Sequence, residues 1–153
     1  MRIAILGIGN TILRDDGIGI YVSRKLKKLL HHPDIEIKET QFSGLALMDL
    51  LEGFDLAFII DSIMIENDKV GKIYKIEEED FEYENSPKSI HHFNIFNAVA
   101  LGRKINIKMP ARMIIYAVSV SDSSTFDEHF SPKIQSAIQS ISDSIKEDIQ
   151  SYL

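Results

Sequence analysis

The first nineteen residues constrain this chain most, because an apolar run there gives way to a glycine-rich turn and then to two adjacent aspartates. Residues 2–6 are rich in Ile and Leu, which predicts a buried parallel strand. Gly7 and Gly9 allow backbone angles closed to other residues, so the chain can turn sharply after this strand. Asp15 and Asp16 follow, directly before an apolar series at helical spacing. This order predicts a strand, a loop that carries carboxylates, and a helix.

The two carboxylates decide between two interpretations of the loop. A glycine-rich turn after a first strand is typical of dinucleotide-binding domains, but that fingerprint needs a third glycine where this chain has Ile12. Asp15 and Asp16 would also repel a pyrophosphate that needs the backbone N–H groups at the start of the helix. The loop therefore favours a cation. The simpler alternative, that both aspartates only cap the helix, stays open.

The composition of the whole chain limits the class of protein. A chain of 153 residues fits one domain, residues 1–153, with a core of its own. The absence of Cys excludes disulfides, a Cys nucleophile and a zinc–thiolate site within the chain. With 17 Lys and Arg against 23 Asp and Glu, the net charge of −6 argues against nucleic acid or an anionic membrane as the main partner. No apolar run approaches the roughly 20 residues of a membrane span and no signal peptide is recognisable, so we expect a cytoplasmic protein without membrane insertion.

The later segments alternate between strand and helix patterns. Strands are predicted at residues 35–40, 56–60, around 70–76, and at 112–120; helices are predicted at 18–30, 45–51 and 90–102, and from Pro132 onward. The unbroken apolar runs at 56–60 and 112–120 are typical of central parallel strands. We therefore expect an α/β fold, a three-layer α/β/α domain around a mostly parallel twisted sheet.

Three potential ligands are expected at one edge of this sheet. Asp16 lies beyond the end of the first strand and Asp61 directly follows residues 56–60, so parallel strands would bring both carboxylates to the same edge. Ser89 is the predicted N-cap of a helix that would contain His91, and the positive helix end there would keep the imidazole neutral and able to bind a metal. Each residue alone also fits a simpler role, Asp61 as a cap and His91 as a packed or surface histidine. Their conjunction predicts a shared site.

Two carboxylates and one imidazole suit a borderline divalent ion such as nickel or zinc, with coordination positions left open for an incoming ligand. A bound ion could polarise a carbonyl and acidify a water, which is hydrolytic chemistry. A serine mechanism has less support, because no Gly-x-Ser-x-Gly motif is present. The pattern therefore predicts metal-linked hydrolysis without a tightly bound organic cofactor.

Five segments in order resemble one known family, the hydrogenase maturation endopeptidases. They are GIGNTILRDDGIG after the first strand, LLEGFDLAFIIDSI ending just past Asp61, the Ser-x-His of Ser89 and His91, the late strand MPARMIIYAVSV, and FSPKIQSAI at the start of the last helix. Together they cover nearly the whole chain at fitting distances.

The resemblance implies an enzyme that removes the C-terminal extension from the large-subunit precursor of a nickel-iron hydrogenase after nickel has been inserted. It implies that Asp16, Asp61 and His91 contact the nickel, which arrives with the precursor, so the protease holds no metal of its own. Asp15 is the rival of Asp16 in this role, and His92 is the rival of His91. We expect the nickel to dock the substrate while Asp16 or Asp61 assists the attack of water.

Two other functions remain compatible with the same fold and acidic edge. A chaperone could recognise the metal centre without cutting anything, and a metallopeptidase could act on unrelated peptides. The choice of hydrogenase, the cleavage site and the oligomeric state are left open by the sequence.

Overall fold

The computed structural model describes residues 1–42, 44–80 and 90–153, and for residues 90–94 it describes the backbone alone. Its strands are β1 (Ile3–Ile8), β2 (Ile35–Thr40), β3 (Leu56–Ile63), β4 (Ile73–Glu77) and β5 (Arg112–Ser119). Its α-helices are α1 (Ile18–Leu29), α2 (Ala46–Leu51), α3 (Ile90–Lys104) and α4 (Pro132–Gln150). Short 3₁₀ turns lie at Arg14–Gly17 and Glu78–Asp80.

The five strands form one sheet in the order β2-β1-β3-β5-β4. Strands β1, β2, β3 and β5 run parallel, and only β4, at one edge, runs antiparallel to its neighbour β5. The chain passes from β1 through α1 to β2 on one side and then through α2 to β3 on the other side of β1. The strand order therefore reverses between β1 and β3, the place where open α/β sheets form ligand sites at the carboxyl ends of their strands.

Two apolar cores cover the two faces of the sheet. Helices α1 and α4 pack on one face, against residues such as Phe58 and Ile60. Helices α2 and α3 pack on the other face, against Ala57 and Ile59. This confirms the predicted three-layer α/β/α fold. Because side chains alternate along a strand, Asp61 belongs to the face that carries α2 and α3.

The start of α1 lies unusually close to the sheet. A Cβ atom on Gly19 would overlap the carbonyl oxygens of Ile8 and Ile60, at the ends of β1 and β3. A Cβ on Gly7 would likewise overlap the hydroxyl of Ser23 in α1. Glycine at these positions lets the helix approach the strand ends directly, which fixes the position of the loop between β1 and α1.

Helix α1 ends at Leu29, close to its predicted end, and Leu30 already has extended backbone angles. Leu29, expected on the buried face, is exposed, so that prediction was wrong. The predicted end of α3 at Gly102 was also wrong. Helix α3 continues past Gly102 to Lys104. Gly102 is used there for close packing, since a Cβ would lie 2.8 Å from Met109 Cγ. The predicted cap Ser89 lies outside the described residues. None of the described helices is both long and apolar enough to cross a membrane.

The packing of α1 predicts that a Gly→Ala substitution in this helix lowers stability, the opposite of the usual effect. Replacing Gly by Ala inside a helix normally stabilises a protein by about 0.5–1 kcal/mol. Gly19→Ala should instead lower the free energy of unfolding by about 1–3 kcal/mol, because the new methyl group meets backbone that cannot move aside. Urea denaturation measures this, with the exposed Lys28→Ala on the same helix as control. An unchanged or increased stability of Gly19→Ala would show that α1 is free to shift.

Candidate functional site

Asp16 lies in the 3₁₀ turn between β1 and α1 and is half-buried. Its Oδ2 accepts a hydrogen bond from the backbone N–H of Asn10 at 2.9 Å. Its Oδ1 accepts one from the hydroxyl of Ser62 at 3.0 Å. The carboxylate is therefore held from both sides, by its own loop and by the end of β3.

Asp61 lies near the end of β3 with 4% of its surface exposed. Its Oδ1 accepts the backbone N–H of Ser62 at 2.7 Å. Burial, with a smaller contribution from the negative charge of Asp16, raises the pKa of Asp61 to about 8, although the Ser62 N–H acts in the opposite direction. The structure thus brings the two predicted carboxylates together at the point where the strand order reverses.

Ser62 connects the two acids and was not predicted to do so. Its backbone N–H contacts Asp61 and its hydroxyl contacts Asp16. The sequence shows Ser62 only as one of several serines, and the one available signal is its place directly after Asp61. Its hydroxyl donates to a carboxylate, which is a positioning role rather than that of an activated nucleophile.

Asp15, the rival of Asp16, is engaged elsewhere. It is fully buried, and its oxygens accept the backbone N–H and the hydroxyl of Ser131, each at 2.7 Å. Longer bonds come from the Asp122 N–H at 3.2 Å and the Ser121 hydroxyl at 3.3 Å. Asp15 therefore fastens the loop after β1 to the loop after β5 and to the start of α4.

The capping interpretation of the two aspartates is wrong. Gly17 is the N-cap residue of α1, and no side chain caps that helix. Asp15 instead accepts from the loop after β5 and the start of α4, and Asp16 accepts from Asn10 in its own loop and from Ser62. Ser131 does precede Pro132 at the start of α4, as predicted, but its hydroxyl bonds to Asp15 instead of capping.

His91 falls in the first turn of α3, and its side chain lies outside the described part of the structure, as does that of His92. The far end of α3 lies near the beginning of β5, where the Arg103 guanidinium donates to the carbonyl oxygen of Pro110 at 2.6 Å. A helix of 15 residues is about 22 Å long, so α3 starts toward the opposite, carboxyl end of the strands. The backbone of His91 is thereby on the same face and toward the same edge as Asp61. Among the described side chains, which exclude residues 90–94, no group of three acids or histidines is arranged to hold a metal.

Comparison with known proteins identifies the family. Residues 20–148 match the family model described as hydrogenase maturation protease. The chain belongs to the hydrogenase maturation protease family. The resemblance drawn from the five segments is thus confirmed, and with it the expectation of a hydrolase family that acts on peptide bonds.

Individual relatives agree with this assignment. The hydrogenase 2 maturation protease of Escherichia coli (strain K12) is 30% identical over 81 residues, which is 52% of this chain and 49% of that protein. This match therefore spans about half the length of that relative. Among solved structures, the hydrogenase maturating endopeptidase HybD from E. coli has a TM-score of 0.81 at 20% identity and covers 99% of this chain and 94% of its own. The [NiFe] hydrogenase maturation protease HybD from Thermococcus kodakarensis has a TM-score of 0.71 at 17% identity and covers 96% of this chain and 98% of its own. At these identities the structures show a shared fold.

The buried carboxyl of Asp61 predicts how stability changes with pH. The folded state binds this proton more tightly than the unfolded state, so the stability it provides is complete below pH 3.8 and is lost as the pH rises toward about 8. Asp61→Asn has no proton to lose. Its free energy of unfolding relative to the parent protein should therefore increase between pH 4.5 and 8, by at most about 1.4 kcal/mol per pH unit. Urea titrations across this range measure the slope, and an equal slope for the exposed Asp49→Asn would contradict the interpretation.

The hydrogen bonds of Asp15 predict that its substitution lowers stability, although Asp15 is not one of the two acids joined by Ser62. Asp15→Ala removes the acceptor for both donors of Ser131 and should lower the free energy of unfolding by about 1–3 kcal/mol. Asp49→Ala, on an exposed face of α2, is the matched control and should change stability by less than about 0.5 kcal/mol. If the two variants are equally stable, Asp15 does not fasten the loops together.

Proposed function

We propose that this chain is the endopeptidase that removes the C-terminal extension of a nickel-iron hydrogenase large-subunit precursor after nickel insertion. One observation carries the proposal: in a member of the hydrogenase maturation protease family, Asp16 and Asp61 meet at the reversal of strand order and share Ser62. Parallel α/β sheets bind their ligands at this place.

In this proposal Asp16, Asp61 and His91 contact nickel that belongs to the substrate. Two carboxylates in close proximity repel each other, and a divalent cation is the ligand that removes the repulsion. Carboxylate oxygens together with an imidazole fit a borderline ion, and the precursor supplies the other ligands. His91 is included because the backbone of α3 places it toward the same edge. Asp15 is excluded as a ligand because it is fully buried in its bonds to Ser131, whereas Asp16 is half-buried.

The nickel acts here as a recognition element that docks the substrate. A precursor without nickel offers nothing for the three side chains to bind, so only the loaded one has its scissile peptide held in place. A carboxylate of the pair then accepts a proton from water as the water oxygen bonds to the scissile carbonyl carbon. The C–N bond breaks, and the leaving amine takes up a proton. Ser62 and Asn10 keep the Asp16 carboxylate oriented throughout. We place this reaction in the cytoplasm.

Cleavage of a defined precursor tests the proposal. The protein is mixed with nickel-loaded and with nickel-free large-subunit precursor, and the mass of the large subunit is read by mass spectrometry. We expect the tail to be lost in the loaded sample alone. Binding without a change of mass would point to a chaperone, and cleavage of free peptides regardless of nickel would point to a general metallopeptidase; either result contradicts the proposal.

Variants in the same assay test each side chain. Asp16→Asn, Asp61→Asn and His91→Ala should each lower the cleavage rate by about 100-fold or more, because the metal-bearing segment is no longer held. Ser62→Ala should have a smaller effect, about tenfold, since it only loosens Asp16. His92→Ala and Asp49→Asn are controls and should cleave normally. Near-normal cleavage by any of the first three removes that residue from the site.

A further inference from the structure

Five large apolar side chains are exposed on the loops at the carboxyl edge of the sheet. They are Phe126, Phe42, Leu45, Met64 and Ile12, which we call the rim, with exposed fractions of 82%, 64%, 62%, 54% and 45%. Single exposed apolar residues are ordinary on protein surfaces, but several of them on the loops of one edge are typical of a contact surface.

Each parallel strand contributes to the rim through the loop that follows it. Ile12 follows β1, Phe42 and Leu45 follow β2, Met64 follows β3, and Phe126 follows β5. The rim loops therefore lie on both sides of the place where the strand order reverses between β1 and β3. This is the edge that carries the paired carboxylates.

Hydrogen bonds hold the rim loops in defined positions. The Asp127 N–H donates to the carbonyl oxygen of Ile12 at 3.0 Å, and the Arg14 N–H donates to the carbonyl oxygen of Asp127 at 2.8 Å. These bonds tie the loop of Phe126 to the loop of Ile12. The N–H of Phe42 donates to the hydroxyl of Thr40 at 3.0 Å. Hydrogen bonds thus hold the backbone beside Ile12, Phe42 and Phe126.

The rim side chains are more exposed than the two acids. Asp61 is 4% exposed and Asp16 is half-buried, so a metal centre carried by a folded protein can reach them only if that protein covers the surrounding loops.

We propose that the rim is the docking surface for the folded body of the precursor, which presents an apolar patch around its metal-bearing segment. This inference rests on the proposed function, because the occupant is the protein whose metal must reach Asp16 and Asp61. A second copy of this chain is a poorer occupant, since docking there would close the acids to any substrate. An anionic membrane is opposed by the net charge of −6.

Substitution of rim residues should weaken docking without changing the chemical step. Phe126→Ser and Phe42→Ser should each raise the enzyme concentration needed for half-maximal single-turnover cleavage by about tenfold, since aromatic anchors dominate protein interfaces. The rate at saturating enzyme should stay within about twofold of the parent, because neither residue contacts the paired acids. Leu29→Ser and Ile105→Ser are matched controls with exposed apolar side chains at the ends of α1 and α3, and they should leave both quantities unchanged.

Binding and cleavage are read separately so that the two proposals can fail independently. Biolayer interferometry measures binding of nickel-loaded precursor to immobilised protein, and mass spectrometry measures loss of the tail. If the parent protein cleaves and the Phe126 and Phe42 variants bind as tightly as the parent, the rim proposal is wrong and the proposed function stands. If the parent binds through the rim but never cleaves, the proposed function is wrong and the docking surface stands.

Two further results would overturn the docking proposal. Equal weakening by Leu29→Ser and Ile105→Ser would mean that general surface hydrophobicity, not the rim, governs binding. A parent protein that sediments as a dimer and becomes monomeric on Phe126→Ser would assign the rim to self-association. Urea denaturation of each variant, expected to match the parent within about 0.5 kcal/mol for surface substitutions, excludes misfolding as the cause of weaker binding.

Discussion

The contact between the start of α1 and the ends of β1 and β3 determines where the acids of this protein lie. Gly19 lets the helix reach the carbonyl oxygens of Ile8 and Ile60, with no side chain between them. The loop that carries Asp16 is therefore confined to the short space above the end of β3. The short side chain of Ser62 is then long enough to donate a hydrogen bond to the Asp16 carboxylate, at 3.0 Å. Close backbone packing, rather than a long flexible side chain, brings the two strands' acids together.

Asp15 and Asp16 show how adjacent residues of one type acquire different roles. Asp15 is buried among the donors of Ser131, Asp122 and Ser121, so its charge is compensated by hydrogen bonds within the fold. Asp16 is half-buried and leaves part of its surface open. The first holds the loops of β1 and β5 in position, and the second is presented at the edge. The divergence comes from the tight 3₁₀ turn at Arg14–Gly17, in which successive side chains leave the backbone in different directions.

The local pattern was sufficient to predict the layers of the fold and the pairing of the acids. Unbroken apolar runs identified the central strands, and the rule that parallel strands share a carboxyl edge brought Asp16 and Asp61 together. The end of α3 depends on tertiary packing, that of Gly102 on Met109, which periodicity does not encode. The partner of Asp15 is Ser131, 116 residues away, and the function of Ser62 depends on which loop lies above it. Contacts of this kind follow from the assembled fold and not from spacing along the chain.

Asp61 is buried with a second carboxylate nearby, an arrangement that disfavours two negative charges at once. A protein that retains such a pair gains most from a ligand that is itself cationic, because the ligand's charge offsets both the burial and the repulsion. If that cation belongs to another protein, the interaction exists only while the partner is docked. A partner without its metal would gain no binding energy from the acids. In the proposed function the rim and the acids would act in sequence: apolar contact would bring a folded surface to the edge, and the charge at its centre would determine whether that surface is held. Burying the carboxylates below the surface that first meets the partner would then restrict binding to a partner that carries its metal.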